Sequence, residues 1–168
     1  MIFVTVGTHN RGFNRLVQAA DELSELLDEE VIIQRGSCTM VPRHATYFDW
    51  ATSLEMEDWI DQSRLVIAHA GAGTIMLVLQ HAKLLVLAPR RASYGEVFND
   101  HQLQLAAAME RAGYATVASD LTGRSLLEAM QKATQETQPP VKSSRLVEAI
   151  RHQLSTWQEQ PGSPDPEE

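Results

Sequence analysis

Alternation constrains this chain most. Six short apolar runs, IFVTV (2–6), EVIIQR (30–35), ATYFDW (45–50), RLVIAH (64–69), KLLVLAP (83–89) and YATVAS (114–119), are separated by helical patterns. Continuous β-branched and aromatic character marks strands buried on both faces. The helical stretches are 13–27, 54–63, 73–82, 99–113 and 121–135, with a last one at 142–158 beyond the TQPP break. In the first of them Phe13, Leu16, Val17, Ala20, Leu23 and Leu27 share one face. Ser53 is the expected N-cap of the second. Asn99 is the expected N-cap of the fourth, with Gln102 near a capping-box position, and Gly113 closes that helix. Apolar strands alternating with helices predict an α/β fold, a parallel sheet with helices on both faces. Ligands of such sheets bind outside the C-terminal strand ends. The loops to weigh therefore follow Val6, Arg35, Phe48, His69 and Pro89.

A length of 168 residues suits one domain, and the net charge of −8 argues against a nucleic-acid partner. Residues 1–157 are expected to form the domain. Residues 158–168, rich in Pro and carrying Glu159, Asp165, Glu167 and Glu168, read as a disordered acidic tail. The single cysteine, Cys38, allows no disulfide within the chain and no thiolate cluster, which fits a reducing compartment and a small buried side chain. No apolar run has the length of a membrane span, and MIFVTVGTH reads as a first strand, too short and without the basic leader of a signal peptide.

Four loops carry candidate chemistry. GTHNRG (7–12) matches neither the dinucleotide-binding glycine fingerprint nor the P-loop, which lowers the case for NAD or nucleoside triphosphate chemistry. Gly7, Thr8 and His9 still put small size, a hydroxyl and an imidazole at a strand end. HAGAGT (69–74) lies where a strand becomes a helix. It reads either as a tight turn or as a cradle for an anion at a helix N-terminus, with His69 either a ligand group or a histidine bonded to backbone. PRRASYGEVFNDHQ (89–102) is long and dense in functional groups, which favours function over a solvated loop. Arg90 and Arg91 suit phosphate or carboxylate, and Glu96 and Asp100 suit hydroxyls. The aromatics of YFDW (47–50) either flank a planar base or pack. No H-E-x-x-H, C-x-x-C or G-x-S-x-G occurs, and the carboxylates do not group as metal ligands, so no metal is expected.

The stretches IFVTVGTH…FNRLVQAADEL, YFDW…EMEDWIDQSRLVIAHAGAGTI and VLAPRRASYGEVFNDHQLQLA together resemble the glycosyltransferase family 28 C-terminal domain, over about residues 1 to 155. The resemblance is strongest to small bacterial single-domain members that bind the donor in exopolysaccharide synthesis. These are related to the donor subunit of the eukaryotic two-subunit transferase that adds the second N-acetylglucosamine to dolichol-linked sugar. The resemblance implies a Rossmann-like GT-B C-terminal half that holds a UDP-sugar. Gly71, Ala72, Gly73 and Thr74 would meet the diphosphate through backbone N–H groups. Phe48 and its neighbours would border the uracil. Asn99, Asp100, His101 and Gln102 would lie at the sugar, and Gly7, Thr8 and His9 would face the acceptor side.

It also implies an inverting hexosyl transfer without a cofactor, with UDP as leaving group. Arg90 or Arg91, His69 and the helix dipole would stabilise the charge, and His9 is the in-chain candidate for the base. The chain would be active only with a membrane-associated acceptor-binding subunit, on a lipid-linked sugar at the cytoplasmic face of the membrane. Two positions depart from the family pattern. Leu77 stands three residues after Thr74, where relatives often carry a ribose-binding acid, so ribose is expected to use Glu96 or to be held more weakly. Gly12 stands where a proline is common. Leu77 keeps open a non-catalytic nucleotide-sugar-binding or regulatory module, and a sugar-nucleotide epimerase is weakened by the chain's length.

Overall fold

The computed structural model describes residues 1–118 and 120–136. The expected helix at 142–158 and the expected tail lie outside the described residues. Six parallel strands, β1 (Ile2–Thr5), β2 (Val31–Gln34), β3 (Thr46–Phe48), β4 (Leu65–Ala68), β5 (Leu84–Leu87) and β6 (Thr116–Val117), form one sheet in the order β3-β2-β1-β4-β5-β6. The pleat sends alternate side chains to opposite faces. Ile2 and Val4 join Ile33, Leu65 and Val86 beneath the helices α1 (Asn14–Glu25) and α5 (Gly123–Glu136). Phe3 joins Val66, Leu85 and Leu87 on the other face, beneath α2 (Ser53–Gln62), α3 (Ala72–Gln80) and α4 (His101–Arg111). Both faces are covered, which is why the strands read as unbroken apolar runs. Where α5 starts against α1, a Cβ on Gly123 would lie 2.8 Å from the Glu22 and Leu23 backbone, and the Gly123 N–H donates to the Glu22 carboxylate.

Two caps differ from expectation. Thr52, not Ser53, caps α2: its hydroxyl accepts the Glu55 N–H, and the Glu55 carboxylate accepts the Thr52 N–H at 2.7 Å. The capping box needs an acid three residues on, and that spacing selects Thr52. Asp100, not Asn99, holds the cap position of α4. The Asn99 side chain instead accepts the His101 N–H just ahead of the helix, and Gln102 turns away to the Arg90 backbone.

The sheet order reverses between β1 and β4. The chain leaves β1 toward β2 on one side and β4 toward β5 on the other, so the loops after these two strands part and leave a crevice. Those loops are 6–12 and 69–74.

Candidate functional site

At the end of β4 the His69 ring is buried, 8% exposed, with its Cε1–Nε2 edge against the backbone of Gly7 and Gly71. A Cβ at either glycine would overlap the ring. Gly7 also has φ +77°, a conformation that side-chain-bearing residues rarely adopt. The two glycines therefore leave room first for a histidine. Burial, with the charge of Arg90 second, pushes His69 down to about 4. The ring is neutral at physiological pH, and Nδ1 is enclosed without a hydrogen-bond partner among the described residues. His69 consequently brings a dipole to the site and no positive charge, so the stabilisation of a leaving diphosphate expected of it would come from a neutral ring.

Gly71 is the N-cap of α3, in extended conformation, and has no side chain with which to cap. The first intrahelical bond runs from Ile75 N–H to the Gly71 carbonyl. The Ala72, Gly73 and Thr74 N–H groups precede it and have no acceptor in the preceding turn. They lie at the positive end of the helix dipole. Gly73 is exposed, and a Cβ there would meet nothing within 4 Å. Packing thus requires Gly71 and leaves Gly73 unconstrained.

The facing loop is set by a buried polar network. Thr5 donates to Gln34 Oε1 at 2.6 Å, and the Gly7 N–H donates to the Thr5 hydroxyl at 3.1 Å. The Gln34 amide donates to the Gly7 and Asp49 carbonyls. Satisfied networks of this kind fix one loop conformation. Sequence reasoning missed it, although Thr5 and Gln34 were polar residues inside apolar strands. Beyond Gly7, Thr8 is exposed and His9 half-buried.

Loop 89–102 buries Arg90 and Glu96 and bonds several of its other functional groups to the protein itself. Arg90 is 0% exposed; its guanidinium donates to the carbonyls of Val6 (3.0 Å) and Arg11 (2.9 Å), with longer contacts to those of Gly12 and Glu96, and lies over the Phe13 ring. Loops leaving a sheet carry carbonyls that no neighbouring strand pairs, and this fork supplies their donors. Arg90 is thereby a clasp between the two loops, not the phosphate or carboxylate ligand expected. The Glu96 carboxylate is paired with Arg15 through two bonds of 2.7 and 2.8 Å and accepts the Arg91 N–H at 3.0 Å. It is 6% exposed and committed, so the expected ribose role is not available to it. Asp100 accepts the Ala92 N–H, and Gln102 Oε1 accepts the Arg90 N–H at 3.1 Å. That leaves the Gln102 amide N–H groups and the exposed His101; Arg91 beside them is half-buried. Arg11 and Arg15 close the clasp, stacking on Phe98 and Tyr94 at 3.9 and 4.0 Å from the ring centroids.

The remaining candidates lie apart from the crevice or are packed. Phe48 stacks on Trp59 and Phe3 at centroid distances of 5.6 and 6.3 Å, and the exposed aromatics of that stretch are Tyr47 and Trp50. Leu77 packs into the core on the α3 face. Gly12 lies against Cys38, whose sulfur is buried and accepts the Phe13 N–H. Among the described residues no three His, Cys, Asp or Glu side chains group as a metal site.

A six-stranded parallel sheet in this order, with its open groups at the β1/β4 reversal, is a Rossmann-like fold. The crystal structure of the kitacinnamycin glycotransferase shares the fold with a TM-score of 0.63 and 18% identity, over 93% of this chain and 39% of that one. The solution structure of ALG13 matches with a TM-score of 0.60 and 22% identity, over 89% of this chain and 93% of that one. The chain belongs to the glycosyltransferase family 28 C-terminal domain family, whose model matches residues 1–156. The human UDP-N-acetylglucosamine transferase subunit ALG13 is 31% identical over 124 residues, 67% of this chain. The match spans only 10% of that human protein.

Proposed function

We propose that the chain is the donor-binding subunit of an inverting glycosyltransferase that moves a hexose from a UDP-sugar to a lipid-linked acceptor in polysaccharide biosynthesis. The carrying observation is the row of N–H groups at Ala72, Gly73 and Thr74, unshielded by a glycine cap, beside an unfilled space at Gly73. Such a helix end favours a diphosphate. The name of the human relative, a UDP-N-acetylglucosamine transferase subunit, supports both the nucleotide sugar and the need for a partner.

In this reading the acceptor hydroxyl attacks the anomeric carbon from the face opposite UDP, a base takes its proton, and the diphosphate leaves toward α3. Stabilisation comes from the three backbone N–H groups, the dipole and Arg91, without a metal. The Gln102 amide, with Asn99, Asp100 and His101 around it, is placed at the sugar. Neither Leu77 nor Glu96 offers the ribose an acceptor, so affinity for the nucleoside is expected to be modest.

The acceptor side belongs to a membrane-associated partner that holds this subunit at the cytoplasmic membrane face. Among the described residues no helix is long and apolar enough to cross a membrane. A thermal-shift series of UDP-sugars against UDP tests the assignment, because a ligand of the folded state raises its melting temperature. Stabilisation by UDP and by one UDP-sugar more strongly is expected. No shift with any uridine nucleotide overturns the assignment. Turnover by the isolated chain overturns the partner requirement, and turnover lost to a chelator and restored by magnesium overturns the metal-free mechanism.

A further inference from the structure

His9 was the candidate base, and its hydrogen bonding assigns it a different role. Its Nδ1 accepts the Arg11 backbone N–H at 3.0 Å. A backbone amide only donates, so the lone pair of Nδ1 is turned toward Arg11 and the neutral ring carries its proton on Nε2. A proton on Nδ1 would set two N–H groups against each other, so protonation must first break the turn. Burial, then the charges of Arg90 and Arg11, lower His9 from its ordinary value, which also keeps it neutral. A base needs an accessible lone pair. The only one on this ring faces back into its own loop, and Nε2 has no hydrogen-bond partner among the described residues.

We propose that His9 serves the donor site as a neutral hydrogen-bond donor, through Nε2–H, to an oxygen of the bound nucleotide sugar, and that it is not the base. This rests on the nucleotide-sugar reading above. It follows that the group taking the acceptor proton comes from outside the 7–12 loop.

Three substitutions separate the two ends of the ring. His9→Asn keeps an acceptor near the Nδ1 position and loses the distal donor. His9→Gln places an amide N–H near the Nε2 position. His9→Ala removes both. The dissociation constants of UDP and UDP-N-acetylglucosamine are measured by calorimetry on the full chain. Gln is expected within about twofold of the natural chain, and Asn and Ala weaker by about fivefold to tenfold, the value of one hydrogen bond. A loss on both ligands sets the oxygen on the diphosphate, and a loss on the sugar nucleotide alone sets it on the sugar; either supports the proposal. The opposite order, with Asn retaining affinity and Gln losing it, reduces His9 to a turn-former and overturns it. Nitrogen NMR of the free, labelled protein gives an independent reading. A pyrrole-like Nε2 and a pyridine-like Nδ1 are expected, and a proton on Nδ1 overturns the proposal whatever the affinities. Absence of binding by the natural chain to either ligand overturns the nucleotide-sugar reading and the donor role with it, while the NMR result still reports the tautomer.

Discussion

The two loops richest in interest use their polar groups in opposite ways. Loop 89–102 has two arginines, two acids, an asparagine, a histidine and a glutamine, yet Arg90, Glu96, Asp100 and one end of Gln102 are bonded to the protein itself. Loop 69–74 has one polar side chain of note, His69, and offers backbone N–H groups that no side chain caps among the described residues. The chemically dense loop is a clasp, and the sparse loop is the open site. What distinguishes them is how many donors and acceptors are left over once the fold has been satisfied, and residue type alone does not report that.

The largest effect should come from breaking the clasp. Arg90→Met leaves the carbonyls of Val6 and Arg11 without their donors in a buried setting, and a loss of about 3–5 kcal/mol in urea unfolding is expected. A loss below about 1 kcal/mol would mean the loops hold together without it, as for a surface site. Next is the acid sensitivity of His69. Its folded value, about 4, lies below the unfolded 6.5, so the folded state prefers the neutral ring. Stability from this group is complete above pH 6.5 and is lost as pH falls toward 4, by about 3 kcal/mol. The natural chain should therefore lose that much more than His69→Asn between pH 7 and pH 4, the comparison cancelling the carboxylates common to both.

The two glycines of the open loop sharpen the contrast further. Gly71→Ala puts a methyl group into the His69 ring and should cost about 1–3 kcal/mol. Gly73→Ala meets nothing within 4 Å among the described residues, should change stability by less than about 1 kcal/mol, and should weaken UDP binding. A Gly73→Ala chain with undiminished UDP affinity would move the diphosphate away from α3. The smallest effect concerns specificity. Glu96→Gln removes the Arg15 ion pair and costs stability, but should leave the ratio of UDP to deoxyuridine diphosphate affinities unchanged within about twofold, since the carboxylate is not at the ribose. A drop in that ratio would restore Glu96 to the pocket.

Much of the fold was legible. Strands buried on both faces appear as apolar runs, and all six agree with expectation to within a residue or two at each end. The last, Thr116–Val117, is shorter than the run YATVAS because only two residues pair with β5. The strand-to-helix junction at the end of β4 was legible too, and the sheet's order reversal falls beside it. The roles of single residues were not. Gly71 and Gly73 look alike in HAGAGT, and only the His69 ring, wedged also against distant Gly7, separates them. Arg90 and Arg91 are adjacent and identical. Which one is buried depends on carbonyls of Val6 and Arg11 that no local pattern connects to residue 90.

The central claim is that the open N–H groups of 72–74, and not the functional groups of 89–102, hold the diphosphate. Titrating UDP into the nitrogen-labelled chain and following the backbone amides tests it directly. The account predicts that the largest shifts fall on Ala72, Gly73 and Thr74, with smaller ones at Gly7 to His9. Shifts centred on Arg90 to Asp100, with Ala72 to Thr74 unmoved, would contradict it.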